Sequence, residues 1–208
     1  WLSQPLQTLS VPKLTSDGDG FQPSSVLLIL AGSGIVALPQ LLAHREPYRL
    51  LGIPTPRYAQ LRFPIDVMLS YRTDDVLMMP QLKEWCEQAT TSHLKHSGIR
   101  NFTLFLTEQG KKNSNEGILM GSDDHLPFPS QSTSTKNSHP EHTFENVTNA
   151  KIIRSQRISK RVVDEAVEKM VQPCRVIVSG PDSFNIAVRE YLLADAQLAT
   201  DQVTVLSA

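Results

Sequence analysis

Three short polar turns carry the residue types in this chain that can do chemistry. The first is Gly32-Ser33-Gly34, which follows the apolar run Val26 to Ala31 and precedes Ile35, Leu38, Leu41 and Leu42. An apolar run, a glycine turn and then apolar residues at helical spacing read as a buried strand, a turn and a helix. A turn of that kind offers free backbone N–H groups and the positive end of a helix dipole, which suits a phosphate. Glycine also serves purely structural strand-to-helix turns, so by itself the pattern leaves a phosphate cradle and a plain turn equally open. The second polar turn is Ser70-Tyr71-Arg72-Thr73-Asp74-Asp75, at the end of the stretch Ile65 to Tyr71. The third is Ser179-Gly180-Pro181-Asp182, at the end of Cys174 to Ser179.

Other chemistry-bearing residues have simpler readings. His125, His139 and His142 lie in a polar stretch without ligand spacing and read as solvated loop histidines rather than a metal site. Cys86 and Cys174 stand far apart without a CxxC or Cys/His pattern, so neither a disulfide framework nor a zinc site is indicated, and the default compartment is reducing. Cys174 opens a predicted buried strand and reads as a small apolar filler. Asp74 and Asp75 are carboxylates at a helix start, a placement that the helix dipole explains without an acid/base role. Asn146-Val147-Thr148 fits a glycosylation sequon, which has no consequence in an intracellular protein.

Composition removes whole classes of partner. With 20 Lys+Arg against 21 Asp+Glu, the net charge of -1 gives no electrostatic reason to expect nucleic acid or an anionic membrane. The apolar run Val26 to Ala31 is the longest in the chain and falls far below the roughly 20 residues of a membrane helix. A cytoplasmic protein, or one at the cytosolic face of a membrane through a segment elsewhere, is the expectation. At 208 residues, 40% of them hydrophobic, the chain is long enough for one substantial α/β domain.

Regular elements must hold the three turns. Residues 1–25 are rich in Pro, Ser and Gly and read as a linker or the end of a preceding domain. The domain proper is expected over 26–208. After the first strand-turn-helix unit, four prolines between Glu46 and Pro64 predict an irregular excursion. Ile65 to Tyr71 predicts a second strand, and Leu77, Met78, Leu82, Trp85, Cys86 and Ala89 a helix, with Pro80 tolerable only near its first turn. Phe102 to Thr107 predicts a third strand. The stretch at about 108–150 is dominated by Ser, Thr, Asn, Lys, Gly, His and Pro, a composition that favours disorder. Ile158, Val162, Val163, Ala166, Val167, Met170 and Val171 form the clearest helical stripe, with Pro173 as its stop.

Cys174 to Ser179 predicts a fourth strand, followed by an amphipathic helix from Phe184 to Leu192 that Asp182 or Ser183 is placed to cap. Val203 to Leu206 predicts a short last strand. Strands alternating with helices predict a Rossmann-like, three-layer α/β fold, with a five-stranded parallel sheet in the order 3-2-1-4-5 and helices on both faces. In such a sheet a ligand sits outside the carboxyl ends of the strands, where all three polar turns fall.

Together the turns resemble the nicotinamide-nucleotide domain of the ferredoxin-NADP reductase superfamily, most closely its cytochrome-b5-reductase-like branch. That family's first signature, a strand then Gly-Thr/Ser-Gly-Ile-Thr/Ala-Pro, stands here as Gly32-Ser33-Gly34-Ile35-Val36-Ala37. Its second, a strand, a polar turn and an acidic, apolar helix start, stands as Ser70 to Leu77 followed by Pro80-Gln81-Leu82. Its third, Cys-Gly-Pro ahead of a helix, stands as Ser179-Gly180-Pro181. The order and spacing match from about Val26 to Leu206, apart from long inserts.

The resemblance implies an NAD(P)H-dependent flavin oxidoreductase, with hydride passed from NADH or NADPH to FAD and onward to a haem or iron-sulfur acceptor. It implies that Gly32, Ser33, Gly34 and Ile35 meet the pyrophosphate, with nicotinamide near Ser33 and Gly180. Ser70, Arg72, Asp75, Pro181, Asp182 and Phe184 would complete the cofactor contacts, and Ser179 takes the catalytic position. Arg72 suits an adenosine 2′-phosphate or adenine stacking, whereas Asp74 and Asp75 suit ribose hydroxyls; the balance leans to NADH. The one Arg-x-Tyr/Phe-Ser/Thr match, Arg100-Asn101-Phe102-Thr103, runs into the predicted third strand, and the flavin domain of the same polypeptide is expected upstream of Trp1.

The departures define an alternative. Ala37 replaces the family's Pro, Ser179 its Cys, and the end Val205-Leu206-Ser207-Ala208 lacks the aromatic residue that often covers the flavin. These changes fit a degenerate, non-catalytic nucleotide-binding or interaction module on the same fold.

Overall fold

The computed structural model describes residues 23–45, 63–72, 76–90, 98–107, 143–194 and 198–207. The expected linker up to residue 22, most of the proline-rich excursion, residues 108–142, Asp74 and Asp75 lie outside them.

The strands are β1 (Ser25–Ala31), β2 (Ile65–Arg72), β3 (Asn101–Thr107), β4 (Ala150–Arg154), β5 (Cys174–Gly180) and β6 (Val203–Ser207). The helices are α1 (Ala37–Arg45), α2 (Met79–Thr90), α3 (Lys160–Glu168) and α4 (Asp182–Leu193). A 3-10 turn over Gly32–Val36 joins β1 to α1. All strand pairs are parallel, in the order β4-β3-β2-β1-β5-β6.

The expected order is therefore present with one strand added, and the sheet has six strands rather than five. The added strand, β4, pairs Leu104 with Ile152 and Phe105 with Ile153 at the edge beside β3. Its five residues, AKIIR, end a long polar stretch and are mostly only half-buried, so no apolar run marks them. Residues just before β4 correct the expected insert as well. Phe144 and Val147 are buried, and the Phe144 ring stacks on Phe102 with centroids 5.3 Å apart. Asn149 donates through Nδ2 to the carbonyls of Cys86 and Ile99 at 3.0 and 2.7 Å. The last part of the polar stretch is thus core structure.

The central strand explains its own sequence. β1 lies between β2 and β5 and is covered on both faces, so every residue from Ser25 to Ala31 is buried. A strand in that position reads as a continuous apolar run rather than an alternation. Its side chains still point alternately to the two faces. Val26, Leu28 and Leu30 pack with Leu38, Leu41, Leu82 and Cys86 of α1 and α2. Leu27 and Ile29 pack with Val163, Val167, Val188 and Leu192 of α3 and α4. Each fully buried Leu or Ile of this kind contributes roughly 1.5–3 kcal/mol.

Topology fixes where a ligand can sit. From β1 the chain moves outward through β2, β3 and β4, with α1 and α2 on one face, and then returns to the other flank of β1 as β5. Right-handed crossovers require the later helices, α3 and α4, to cover the opposite face. The chain changes direction between β1 and β5, and that is the switch point.

Two helix boundaries differ from expectation. α3 is shorter than its apolar stripe, running from an N-cap at Ser159 to a C-cap at Lys169. α4 begins at Asp182 with Pro181 as N-cap and no capping side chain, so neither Asp182 nor Ser183 caps it. The fixed φ of proline already suits a helix start, and Asp182 instead places a negative charge in the first turn.

Candidate functional site

Three carboxyl ends meet at the switch point. Ala31 pairs with Ser70 of β2, and Leu30 with Ser179 of β5, so the strand ends that carry Gly32, Ser70 and Ser179 are neighbours. Asp75 lies outside the described residues.

The first and third turns are in close contact. A Cβ on Gly34 would lie 2.0 Å from the carbonyl oxygen of Ser179 and 2.9 Å from the nitrogen of Gly180. No side chain fits there, and glycine is the residue that lets the backbone after β1 rest on the end of β5. Gly180 is equally confined: its Cβ would meet the Phe184 ring at 2.8 Å and the Ala31 Cβ at 3.0 Å. Phe184, half-buried on the first turn of α4, packs against the glycine rather than standing clear of it.

Gly32 is a different case. Its φ is +54°, the left-handed region that glycine enters at no cost, and nothing among the described residues lies within 4 Å of where a Cβ would stand. Its carbonyl accepts a hydrogen bond from the Tyr71 hydroxyl at 2.8 Å. Ser33 beside it is exposed. Gly32 and Ser33 therefore form the open side of the turn, and Gly34 and Ile35 the packed side. Ile35 is 1% exposed and its side chain belongs to the core beside α1, which leaves its backbone as the part that can face a ligand.

The remaining site residues divide by accessibility. Ser70 is half-buried and Arg72 is exposed at the end of β2, paired with Thr107 of β3. Pro181 and Asp182 are exposed at the start of α4. Ser179 is 3% exposed, so its side chain is enclosed on the α1 side of the sheet beside Leu30.

Electrostatics separates the two helix starts at the switch point. The Gly32–Val36 turn has no acidic residue in its first turn and no side-chain cap. The start of α4 carries Asp182. An anion is favoured at the uncapped, uncharged start and disfavoured next to a carboxylate. On that ground the Gly32–Val36 turn is a better place for an anion than the start of α4.

Two residues outside the sequence-based set hold this arrangement. Tyr71 ties the end of β2 to the glycine turn. Asn185, 4% exposed, donates through Nδ2 to the carbonyls of Gly180 and Leu206 at 2.8 and 3.0 Å, joining the ends of β5 and β6 to α4. Its Oδ1 is buried with no hydrogen-bond partner among the described residues. The sequence did carry a signal for Asn185. It occupies the buried stripe of α4 with Val188 and Leu192, and a polar residue at a core position must find partners.

Neither cysteine is set up as a nucleophile. Burial pushes the Cys86 thiol up to about 12, with the nearby Glu87 charge acting in the same direction. Burial raises Cys174 as well, against the smaller opposing effect of its hydrogen bond with Gln172. No group of three or more His, Cys, Asp or Glu among the described residues is placed to hold a metal ion. No helix among them is long and apolar enough to cross a membrane.

The fold and its switch point define an open, doubly wound α/β domain with a glycine turn at the carboxyl end of its central strand. No family model matches the chain, and no curated protein matches it. A solved structure of the CS-b5R domains of human Ncb5or, in its NAD+ form, is similar over 98% of this chain, with a TM-score of 0.48 and 15% sequence identity. The chain covers 39% of that chain's length. A likeness of that depth assigns no residue and no activity here.

Proposed function

We propose that this chain is the NAD(P)H-binding domain of a flavoprotein oxidoreductase. The observation that carries the reading is the seating of Gly34 on Ser179 and Gly180 at the switch point, which leaves Gly32 and Ser33 open beside it. Two sequence motifs far apart in the chain are thereby closed into one cradle with an open, uncapped amide edge. When bound, a reduced nicotinamide supplies a hydride. The chain's own residues bind and orient: the backbone of Gly32 and Ser33 holds the pyrophosphate, and Gly180 and Pro181 flank the nicotinamide. Arg72 reaches the adenosine end. NADH is the preferred form on the charge of Asp74 and Asp75, and the hydride acceptor is FAD on a domain of the same polypeptide. A haem or iron-sulfur protein then takes the electrons.

Titration of the chain with NADH and NADPH, followed by calorimetry, tests the reading. Binding is expected, and Ser33→Glu is expected to weaken it at least about tenfold by placing a carboxylate against the pyrophosphate, with the fold unchanged because Ser33 is exposed. Absence of binding by the wild-type chain, or indifference to Ser33→Glu, sinks it.

A second reading, a non-catalytic nucleotide-binding or interaction module, has one observation in its favour. Ser179, which stands where the resemblance places a catalytic cysteine, is 3% exposed. Nucleotide binding without flavin bleaching, in a polypeptide that includes a flavin domain, is the result this reading expects.

A further inference from the structure

A cavity of about 420 Å³ lies between α3 and the strands β2, β3 and β4. It runs along the α3 face of the sheet from Asp66, Asn101 and Lys151 to Phe105, Ile153 and Gln156, and shares no residue with the three turns at the carboxyl ends of β1, β2 and β5. Its size falls in the range of small-molecule sites.

The cavity has an apolar floor and a polar rim. Leu27, Met68, Phe105 and Ile153 supply the floor, and Val162 and Ala166 of α3 the facing wall. Phe105 and Leu27 are 0% and 1% exposed, so the floor is continuous with the core. The charges on the rim are unequally engaged. Asp66 is held by Arg100 through both carboxylate oxygens and by Asn101 at 2.9 Å. Arg100 is raised above the usual arginine range, first by that hydrogen bond to Asp66, and burial works against the rise. Glu165 is paired with Arg161 at 3.3 Å. Among the described residues Lys151 and Lys169 have no such partner, and the Thr103 hydroxyl makes no hydrogen bond.

Both carboxylates on the rim are thus neutralised, whereas two ammonium groups and a hydroxyl are left to donate. A guest that satisfies them carries an anionic head, and one that fills the floor carries a hydrocarbon body. We propose that this cavity binds a small amphipathic monoanion of the acyl-carboxylate class. The acyl body lies over Met68, Phe105 and Ile153, and the carboxylate takes its charge partners from Lys151 and Lys169. The proposal is independent of dinucleotide binding at the switch point.

Octanoate and octan-1-ol are the probes, titrated into the 15N-labelled chain with backbone chemical shifts as the readout. Octanoate is expected to bind at least about tenfold more tightly than octanol, with shifts centred on Thr103, Phe105, Ile153 and Ala166. Lys151→Gln with Lys169→Gln removes that difference and leaves octanol binding unchanged. Ala166→Trp fills the cavity and abolishes the binding of both. Equal affinity for octanoate and octanol, shifts outside the cavity, or a double variant that still discriminates would each overturn the proposal. Ser33→Glu leaves octanoate binding as in the wild type, so a failed nucleotide titration and a failed octanoate titration report on separate sites.

Discussion

The Tyr71 hydroxyl donates to the Gly32 carbonyl at 2.8 Å, so the end of β2 fixes the orientation of the glycine turn that follows β1. Tyr71 is 5% exposed, and its ring is held in the core beside α1. Tyr71→Phe keeps the ring and removes the donor. A net cost of about 1 kcal/mol in stability is expected, the ordinary worth of one such bond. Nucleotide affinity falls with it, because the turn that presents the amides loses its brace. Urea unfolding and calorimetry on the same variant check both parts.

Gly34 and Gly32 are expected to respond differently to alanine. At Gly34 the new Cβ would stand 2.0 Å from the Ser179 carbonyl oxygen, which is backbone and cannot turn aside. Gly34→Ala must part the β1 turn from β5, at a cost of about 3 kcal/mol or more by the measure of overpacked cores. At Gly32 there is room, and only the positive φ opposes a side chain, which costs about 1–2 kcal/mol. Chemical denaturation of the pair separates steric closure from backbone strain. Equal losses would show that the seating of Gly34 on β5 is not tight in solution.

Asn185→Leu tests the link between α4 and the sheet. The substitution keeps similar volume and leaves the carbonyls of Gly180 and Leu206 without their donor. Each buried, unsatisfied carbonyl costs roughly 1–3 kcal/mol, and removal of the unpartnered Oδ1 offsets part of the sum, so a loss of about 2–4 kcal/mol is expected. Hydrogen exchange is expected to accelerate first at the end of β6, which Asn185 anchors through Leu206. Uniform acceleration across the sheet would contradict that local role.

The parts of the fold legible in the sequence were those with strong periodicity. β1 and β5 are buried on both faces and announce themselves as apolar runs, and α3 shows a clear stripe. β4 escaped because an edge strand buries little, and Ile152 and Ile153, adjacent between Lys151 and Arg154, show neither an alternation nor a run long enough to stand out. The glycine turns were visible as motifs, but their mutual contact was not. That Gly34 rests on Ser179 depends on residues 145 positions apart meeting across β1 and β5, which no local pattern encodes. Tyr71 was hidden for the same reason, since it acts on the carbonyl of a turn 39 positions away, whereas Asn185 showed as a polar residue in the apolar stripe of α4 without showing which carbonyls it holds.

Phe144 distinguishes core from linker in the polar stretch ahead of β4. Its ring is 5% exposed and stacked on Phe102. Phe144→Ala is expected to cost about 3–5 kcal/mol, as for other buried aromatic truncations. A change within about 0.5 kcal/mol, the usual range of surface substitutions, would place the segment outside the cooperative unit.

Alkaline pH tests the packing around Cys86. The folded thiol is raised from 9.0 to about 12, because burial disfavours the thiolate, and the residue is 0% exposed. In the unfolded chain the same thiol loses its proton near 9.0. The folded state thus holds the proton more tightly, and the contribution is fully present below pH 9. As pH rises from about 9 to 12 the unfolded chain ionises first, and stability falls by up to about 1.4 kcal/mol per pH unit from this group. Cys174 is raised in the same direction and adds to the slope. Cys86→Ala loses stability at neutral pH through its smaller volume, but its stability curve is expected to be flatter above pH 9 than the wild-type curve. Parallel curves for the two proteins between pH 8 and 11 would show that Cys86 ionises in the folded state as freely as in the unfolded one, and that the contact between α2 and the sheet opens to water.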